Sequence, residues 1–136
     1  MGLNYRLYVE KLSEVKRLTS ERDFLAGNDH ISVSVSEPKG LALEIIRDDF
    51  GFTLEIEICF RIHKEANIRQ CQGSVVDLVD KTLRSSESNA VLLFNSDVPL
   101  LVKSGETVVL SDNSTFWTEG NKKRIGIPHV VKKIIY

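Results

Sequence analysis

The 136-residue sequence lacks the marks of several protein classes. It has three prolines and eight glycines, too few for a collagen-like or low-complexity chain. No apolar run approaches the roughly 20 residues that cross a membrane, and no basic segment precedes an apolar stretch near Met1, so we expect neither a membrane span nor a secretory signal. The two cysteines, Cys59 and Cys71, do not form a CxxC pair, which favours reduced thiols in a cytoplasmic protein over a disulfide framework.

An excess of charge of one sign is also missing. Lys and Arg number 18 against 19 Asp and Glu, for a net charge of -1. Without a basic excess there is no electrostatic case for binding nucleic acid. Hydrophobic residues make up 42% of the chain, which excludes intrinsic disorder and suffices for one core. We therefore expect residues 1–136 to form a single domain.

Residue patterns that carry catalysis are scarce as well. The three histidines, His30, His63 and His129, match no metal-ligand spacing, and no glycine-rich phosphate loop occurs. Glu55 and Glu57 would lie about 7 Å apart on one side of a strand, a separation that a glycoside hydrolase could use, although a solvated strand face is the simpler interpretation. We expect no enzyme, no catalytic residue, no cofactor and no metal.

The strongest pattern that is present is the alternation over residues 52–62. Apolar side chains occupy the even positions and mostly polar ones the odd positions, which predicts a strand with one buried and one open face. If helices cover the even row, then the odd row and the serines of residues 30–36 form an open polar face suited to docking a partner. This predicted face comprises Glu55, Glu57, Cys59, Arg61, His63, Ser32, Ser34 and Ser36.

The remaining periodic stretches complete an α+β domain. We predict two helices, the second opened by an Asn67 cap, and three further extended segments before the C-terminal part of the chain. The helices span 12–25 and 67–85, and the extended segments span 3–9, 41–47 and 90–94. The order is β-α-β-β-α-β-β-β: a mainly antiparallel sheet with two helices packed on one face, beginning in the split βαβ order of ferredoxin-like folds.

The C-terminal part contains a predicted hairpin over residues 98–110, with a last strand over 129–135. The hairpin would turn at Ser104-Gly105 and set Lys103 opposite Glu106. The hairpin and the preceding strand are apolar on both sides, so this half of the sheet needs a second cover. Two sources are open: the segment that carries Phe116 and Trp117, or a second copy of the chain in a homodimer.

Five short blocks share their order and spacing with a known family. They are Asn4-Tyr5-Arg6, Phe50-Gly51-Phe52 leading to Phe60-Arg61-Ile62-His63-Lys64, Val91-Leu92-Leu93-Phe94-Asn95, Phe116-Trp117-Thr118 and Pro128-His129-Val130. Together they resemble the immunity proteins of the myxobacterial swarming-inhibition toxin-exchange system. The chain departs from the family pattern at His63, where an aspartate is expected, and at Ser96, where a glycine is expected.

The resemblance implies a small cytoplasmic bacterial protein that binds a cognate protein toxin and neutralises it by occlusion, without catalysis. We expect the contacts with the partner to come from Asp48, Asp49, Glu55, Glu57 and Arg61. Two alternatives stay open. One is a homodimeric structural or scaffold protein that associates through the doubly apolar hairpin, and the other is a small hydrolase that uses Glu55 and Glu57.

Overall fold

The computed structural model describes residues 3–26, 30–63, 67–95 and 98–134. Over these residues the chain forms seven strands and five helices. The strands are β1 (Leu3–Val9), β2 (Ile31–Ser36), β3 (Ile56–Ile62), β4 (Ala90–Phe94), β5 (Val98–Ser104), β6 (Thr107–Leu110) and β7 (Val130–Val131). The helices are α1 (Leu12–Thr19), α2 (Arg22–Ala26), α3 (Gly40–Phe50), α4 (Ile68–Arg84) and α5 (Glu119–Arg124).

All seven strands belong to one sheet in the order β2-β3-β1-β4-β5-β6-β7. Every neighbouring pair is antiparallel except β6 and β7, which are parallel. The first four strands, with helices between β1 and β2 and between β3 and β4, have the split βαβ arrangement that their order along the chain predicted. The α+β class with a mainly antiparallel sheet is confirmed.

The main core lies between one face of this sheet and helices α1, α2 and α4. The alternation of β1 and β3 supplies its floor, because side chains two residues apart point to the same side of a strand. Helix α4 packs its apolar stripe onto this floor, and Asn67 caps the helix by accepting a hydrogen bond from the Gln70 backbone N–H at 3.1 Å, as predicted. The buried residues on this side include Tyr5, Leu7, Val9, Ile56, Ile58, Phe60, Ile62, Cys71, Val75 and Val79.

A second, smaller core occupies the opposite face of the sheet. Residues 41–47 were expected to be extended, and this prediction was wrong: they lie within α3, whose Leu43, Ile46 and Phe50 recur at helical spacing and pack inward. Gly51 ends the helix with a left-handed backbone (φ 73°), a conformation that glycine adopts without strain. The buried members of this second core are Tyr8, Ile46, Phe52, Leu54, Val91 and Leu93.

Helix α3 therefore covers the half of the sheet that is apolar on both sides. On the main-core side of the same strands, Phe116 and Trp117 are buried. The Trp117 indole Nε1 donates to the Leu100 carbonyl at 2.6 Å. Trp117 is thus a core residue. Both covers come from within the chain, so the apolar pattern that motivated the homodimer hypothesis is accounted for without a second copy.

The strand over 52–62 and the helix over 12–25 differ in part from expectation. All even residues from 52 to 62 are buried as predicted, but β3 begins only at Ile56. Because the chain is irregular before Ile56, Phe52 and Leu54 leave the main core and join the second one. The predicted first helix is two helices, α1 and α2, separated by two residues.

The hairpin of β5 and β6 turns one residue later than predicted. Ser104 pairs with Thr107, so Gly105 and Glu106 form the turn and Gly105 takes a φ of 61°. Lys103 therefore pairs with Val108 rather than Glu106. Its side chain is only 6% exposed, and its ammonium group donates to the Ser88 carbonyl at 2.8 Å.

We expect Ile46→Ala to lower the free energy of unfolding by about 2–5 kcal/mol, because a fully buried side chain leaves a cavity under α3. Ile68→Ala is the matched control, since Ile68 is 43% exposed and its loss should change stability by no more than about 0.5 kcal/mol. Urea denaturation followed by Trp117 fluorescence measures both. Equal and small losses would contradict the packing of α3 on the sheet.

Candidate functional site

The sheet face that carries α3 is only half covered. Beyond α3, the part built by β2, β3 and the start of β1 presents polar side chains that are exposed or half-buried. We call this surface the polar face. It consists of Asn4, Arg6, Ser32, Ser34, Ser36, Glu57, Cys59, Arg61 and His63.

The strand register arranges most of the polar face in two cross-strand rows. Ser34 pairs with Cys59, and Cys59 pairs with Arg6 on its other side. One row further, Ser32 and Asn4 flank Arg61 in the same way. Since directly opposed side chains lie about 5 Å apart, each row forms a continuous strip of polar groups across the three strands.

Glu57 lies at the boundary between the polar face and α3. Its Oε2 is 3.8 Å from the Arg6 Nε, a loose ion pair of the kind that contributes little to stability at a surface. The Tyr8 side chain, buried beneath α3, lies close to the same carboxylate. Burial, and then the nearby negative charge of Glu57, raise the pKa of Tyr8 above its ordinary value.

Arg61 is the exposed cation of the polar face. Its guanidinium forms no ion pair with another residue of the described ranges. Next to it, the His63 ring Nε2 lies 2.8 Å from the Ser32 hydroxyl, which links β3 to β2 through side chains as well as backbone. Arg61 is therefore held on a rigid strand with its charge available to a partner.

The five residues predicted to contact a partner do not form one cluster. Glu57 and Arg61 share the open side of β3, about 13 Å apart along the strand. Glu55 is exposed just before β3, where its backbone N–H donates to the Val9 carbonyl at 3.0 Å. Asp48 and Asp49 are exposed on α3, which packs on the same side of the sheet.

The predicted open face lacked the residues that β1 contributes. Asn4 and Arg6 belong to the polar face, and Tyr8 lies beside Glu57 beneath α3. The missed signal is Tyr8 itself: an aromatic residue in the polar row indicates that the outer face is covered at that point, as α3 covers it.

Other kinds of site find little support in the described ranges. No group of three His, Cys, Asp or Glu side chains within them could hold a metal ion. None of their helices is long and apolar enough to cross a membrane. The Glu57 carboxylate, one of the pair considered for hydrolysis, already faces the Arg6 guanidinium and the Tyr8 hydroxyl.

A known protein family matches most of the chain. Residues 5–121 match the family model described as SitI3-like. The chain belongs to the SitI3-like family. The match runs from β1 into α5 and so includes α3 and all of the polar face except Asn4. It agrees with the resemblance to immunity proteins of the swarming-inhibition toxin-exchange system. No curated protein and no solved structure matches the chain.

We expect Tyr8→Phe in this SitI3-like protein to lower the free energy of unfolding at neutral pH by about 0.5–3 kcal/mol, because the interaction of the neutral hydroxyl with the Glu57 carboxylate is lost. This deficit should shrink above the ordinary tyrosine pKa of 10.0. There the unfolded wild type releases the Tyr8 proton while the folded state retains it, so the wild type loses stability as pH rises and the variant does not share that loss.

Urea denaturation at several values between about pH 8 and pH 11 measures this difference. Thr19→Val is the control, because it removes a buried hydroxyl, bonded to the Val15 carbonyl at 3.0 Å, that does not titrate in this range. Its deficit relative to the wild type should stay constant. A Tyr8→Phe deficit that also stays constant would contradict the raised pKa.

Proposed function

We propose that this chain is an immunity protein that binds a cognate toxin in the cytoplasm and neutralises it by occlusion. Membership of the SitI3-like family over residues 5–121 carries the proposal. The polar face supports it, because fixed polar and charged groups on a rigid sheet suit recognition of one partner surface.

Occlusion requires a surface that is rigid before binding, since ordering side chains on association costs affinity. The polar face meets this condition. Behind it lie the main core and α4, and beside it α3 is anchored by the second core. The toxin would be blocked by contact alone, so we assign no catalytic residue and no cofactor to the chain.

The charges of this side of the molecule indicate what the toxin presents. Arg61 would meet a carboxylate of the toxin, whereas Asp48, Asp49, Glu55 and Glu57 would meet basic groups at and around α3. A mixed pattern of this kind, together with the net charge of -1, favours a partner of mixed charge over a strongly basic one. His63, which stands where the family pattern has an aspartate, would adapt the polar face to a particular toxin.

The first test is protection of cells. We expect the cognate toxin to be encoded beside this gene, and cells that produce it should survive when they also produce this chain, and die without it. Failure to protect, with the chain soluble and folded, would remove the proposal. Neutralisation by enzymatic destruction is distinguished by mass spectrometry, because occlusion leaves the toxin covalently unchanged.

The charge of Arg61 provides a sharper test. We expect Arg61→Glu to weaken binding of that toxin by about 10-fold or more, because a like charge then faces the toxin carboxylate. Arg22→Glu makes the same change in charge at an exposed position on α2, across the sheet, and should alter the affinity less than about 2-fold. Isothermal titration calorimetry measures both, and equal effects would place the contact elsewhere.

A further inference from the structure

Strand β2 is an edge of the sheet that nothing in the described ranges pairs with. It is six residues long, regular in register against β3, and contains neither a charged residue nor a proline. Such an edge presents a row of backbone donors and acceptors to any extended chain that approaches it.

The register identifies which backbone groups point outward. The His63 N–H donates to the His30 carbonyl at 2.9 Å, so this pair is hydrogen-bonded between the strands. Because hydrogen-bonded and non-hydrogen-bonded pairs alternate in an antiparallel ladder, Ser32, Ser34 and Ser36 bond to β3. The N–H and C=O groups of Val33 and Val35 therefore point away from the sheet, toward solvent.

The other edge of the sheet is protected in the way that natural proteins protect edges. Strand β7 has only two residues, and Lys132 and Lys133 follow it directly. Short edge strands and lysines discourage pairing with another chain. Glu37 and Pro38 follow β2 in turn, but its six regular residues leave a longer free edge than the two of β7, and this length singles out β2 as the edge that is open to a further strand.

We propose that β2 pairs with an extended segment of the toxin, which adds an eighth strand to the sheet. This inference rests on the proposed function and specifies how the partner is held. Main-chain hydrogen bonds to Val33 and Val35 supply affinity in this mode, and alternate side chains of the added strand supply specificity.

The two sides of β2 define the chemistry of that segment. On the polar face, the small side chains of Ser32 and Ser34 leave Arg61 accessible from one strand further out, about 10 Å from β3. A Glu or Asp of the added strand can therefore reach the Arg61 guanidinium over Ser32. On the opposite side, the half-buried Val33 and Val35 favour apolar residues, so the segment alternates acidic or polar with apolar side chains.

A second copy of this chain is a poorer occupant of the same edge. Antiparallel pairing of β2 with itself sets serines against serines and brings no carboxylate of the strand to Arg61, because residues 31–36 contain no acidic side chain. Charge complementarity thus favours the toxin segment over self-association.

Residue-resolved amide hydrogen exchange of the full chain, alone and with the toxin encoded beside this gene, tests the proposal. In the free protein the Val33 and Val35 amides should exchange at least about 10-fold faster than those of Ser32 and Ser34, which bond to β3. In the complex the Val33 and Val35 amides should become as protected as their serine neighbours.

A pair of variants at one position separates the backbone from the side chain. Val35→Pro removes an outward N–H that β3 does not use, a change tolerated at an edge, and should weaken toxin binding by about 10- to 100-fold. Val35→Thr keeps the N–H and the branched shape and should change the affinity less than about 3-fold. Circular dichroism establishes that both variants are folded, and the exchange experiment does not depend on either.

The outcomes are distinct. A complex in which the Val33 and Val35 amides stay exposed overturns the edge pairing and leaves the immunity function intact. Absence of any complex, with no protection of cells, overturns both. Protection of these amides in the free protein that grows with concentration, with a doubled mass in light scattering, assigns the edge to a second copy and overturns the toxin segment as its occupant.

Discussion

The antiparallel pairing of β1 with β3 is the constraint on which the rest of the structure depends. Seven consecutive residue pairs, from Leu3 with Ile62 to Val9 with Ile56, fix which side chains face the helices and which face the other way. A slip of one residue would turn over the side chains of one strand and bury either Arg6 or Glu57 in the main core. Burial of the apolar row therefore determines the position of every polar group on the other face.

The same pairing explains why the second face is divided. Near Tyr8 the side chains on the α3 side of the sheet are apolar, and this apolar surface continues into β4 and β5. It must therefore be buried, and α3 covers it. Toward the beginning of β1 the outer row is Asn4 and Arg6, which need no cover. The sequence of β1 therefore sets the border between the second core and the open surface. Glu57 lies at this border, between the buried Tyr8 and the half-buried Arg6.

Much of this could be predicted from residue patterns. The even row of residues 56–62 and the Asn67 cap depend on local chemistry, and both occur as predicted. The family resemblance, which the SitI3-like match supports, depends on the order of short sequence blocks and not on a physical argument. The open row of β3 was predicted because alternation alone distinguishes the two faces of a strand.

The errors arose where local pattern does not decide between structures. A short apolar run such as 41–47 fits a buried strand or a helix equally well, and only its packing against Tyr8 and Val91 favours the helix. The hairpin turn is shifted by one residue because Gly105, rather than Ser104, begins it with a left-handed backbone. The pairing of Glu57 with Arg6 joins residues 51 positions apart, which no local pattern reveals.

Helix α3 also makes the surface on this side of the sheet uneven. A helix with its side chains is about 10 Å across, so α3, which carries Asp48 and Asp49, stands above the polar face, which carries Arg61. A flat protein resting on α3 would not touch the polar face beside it. Apart from a strand added at the β2 edge, whatever reaches Arg61 must be convex, so the shape of this chain selects a binding partner with a protruding element before any charge is compared.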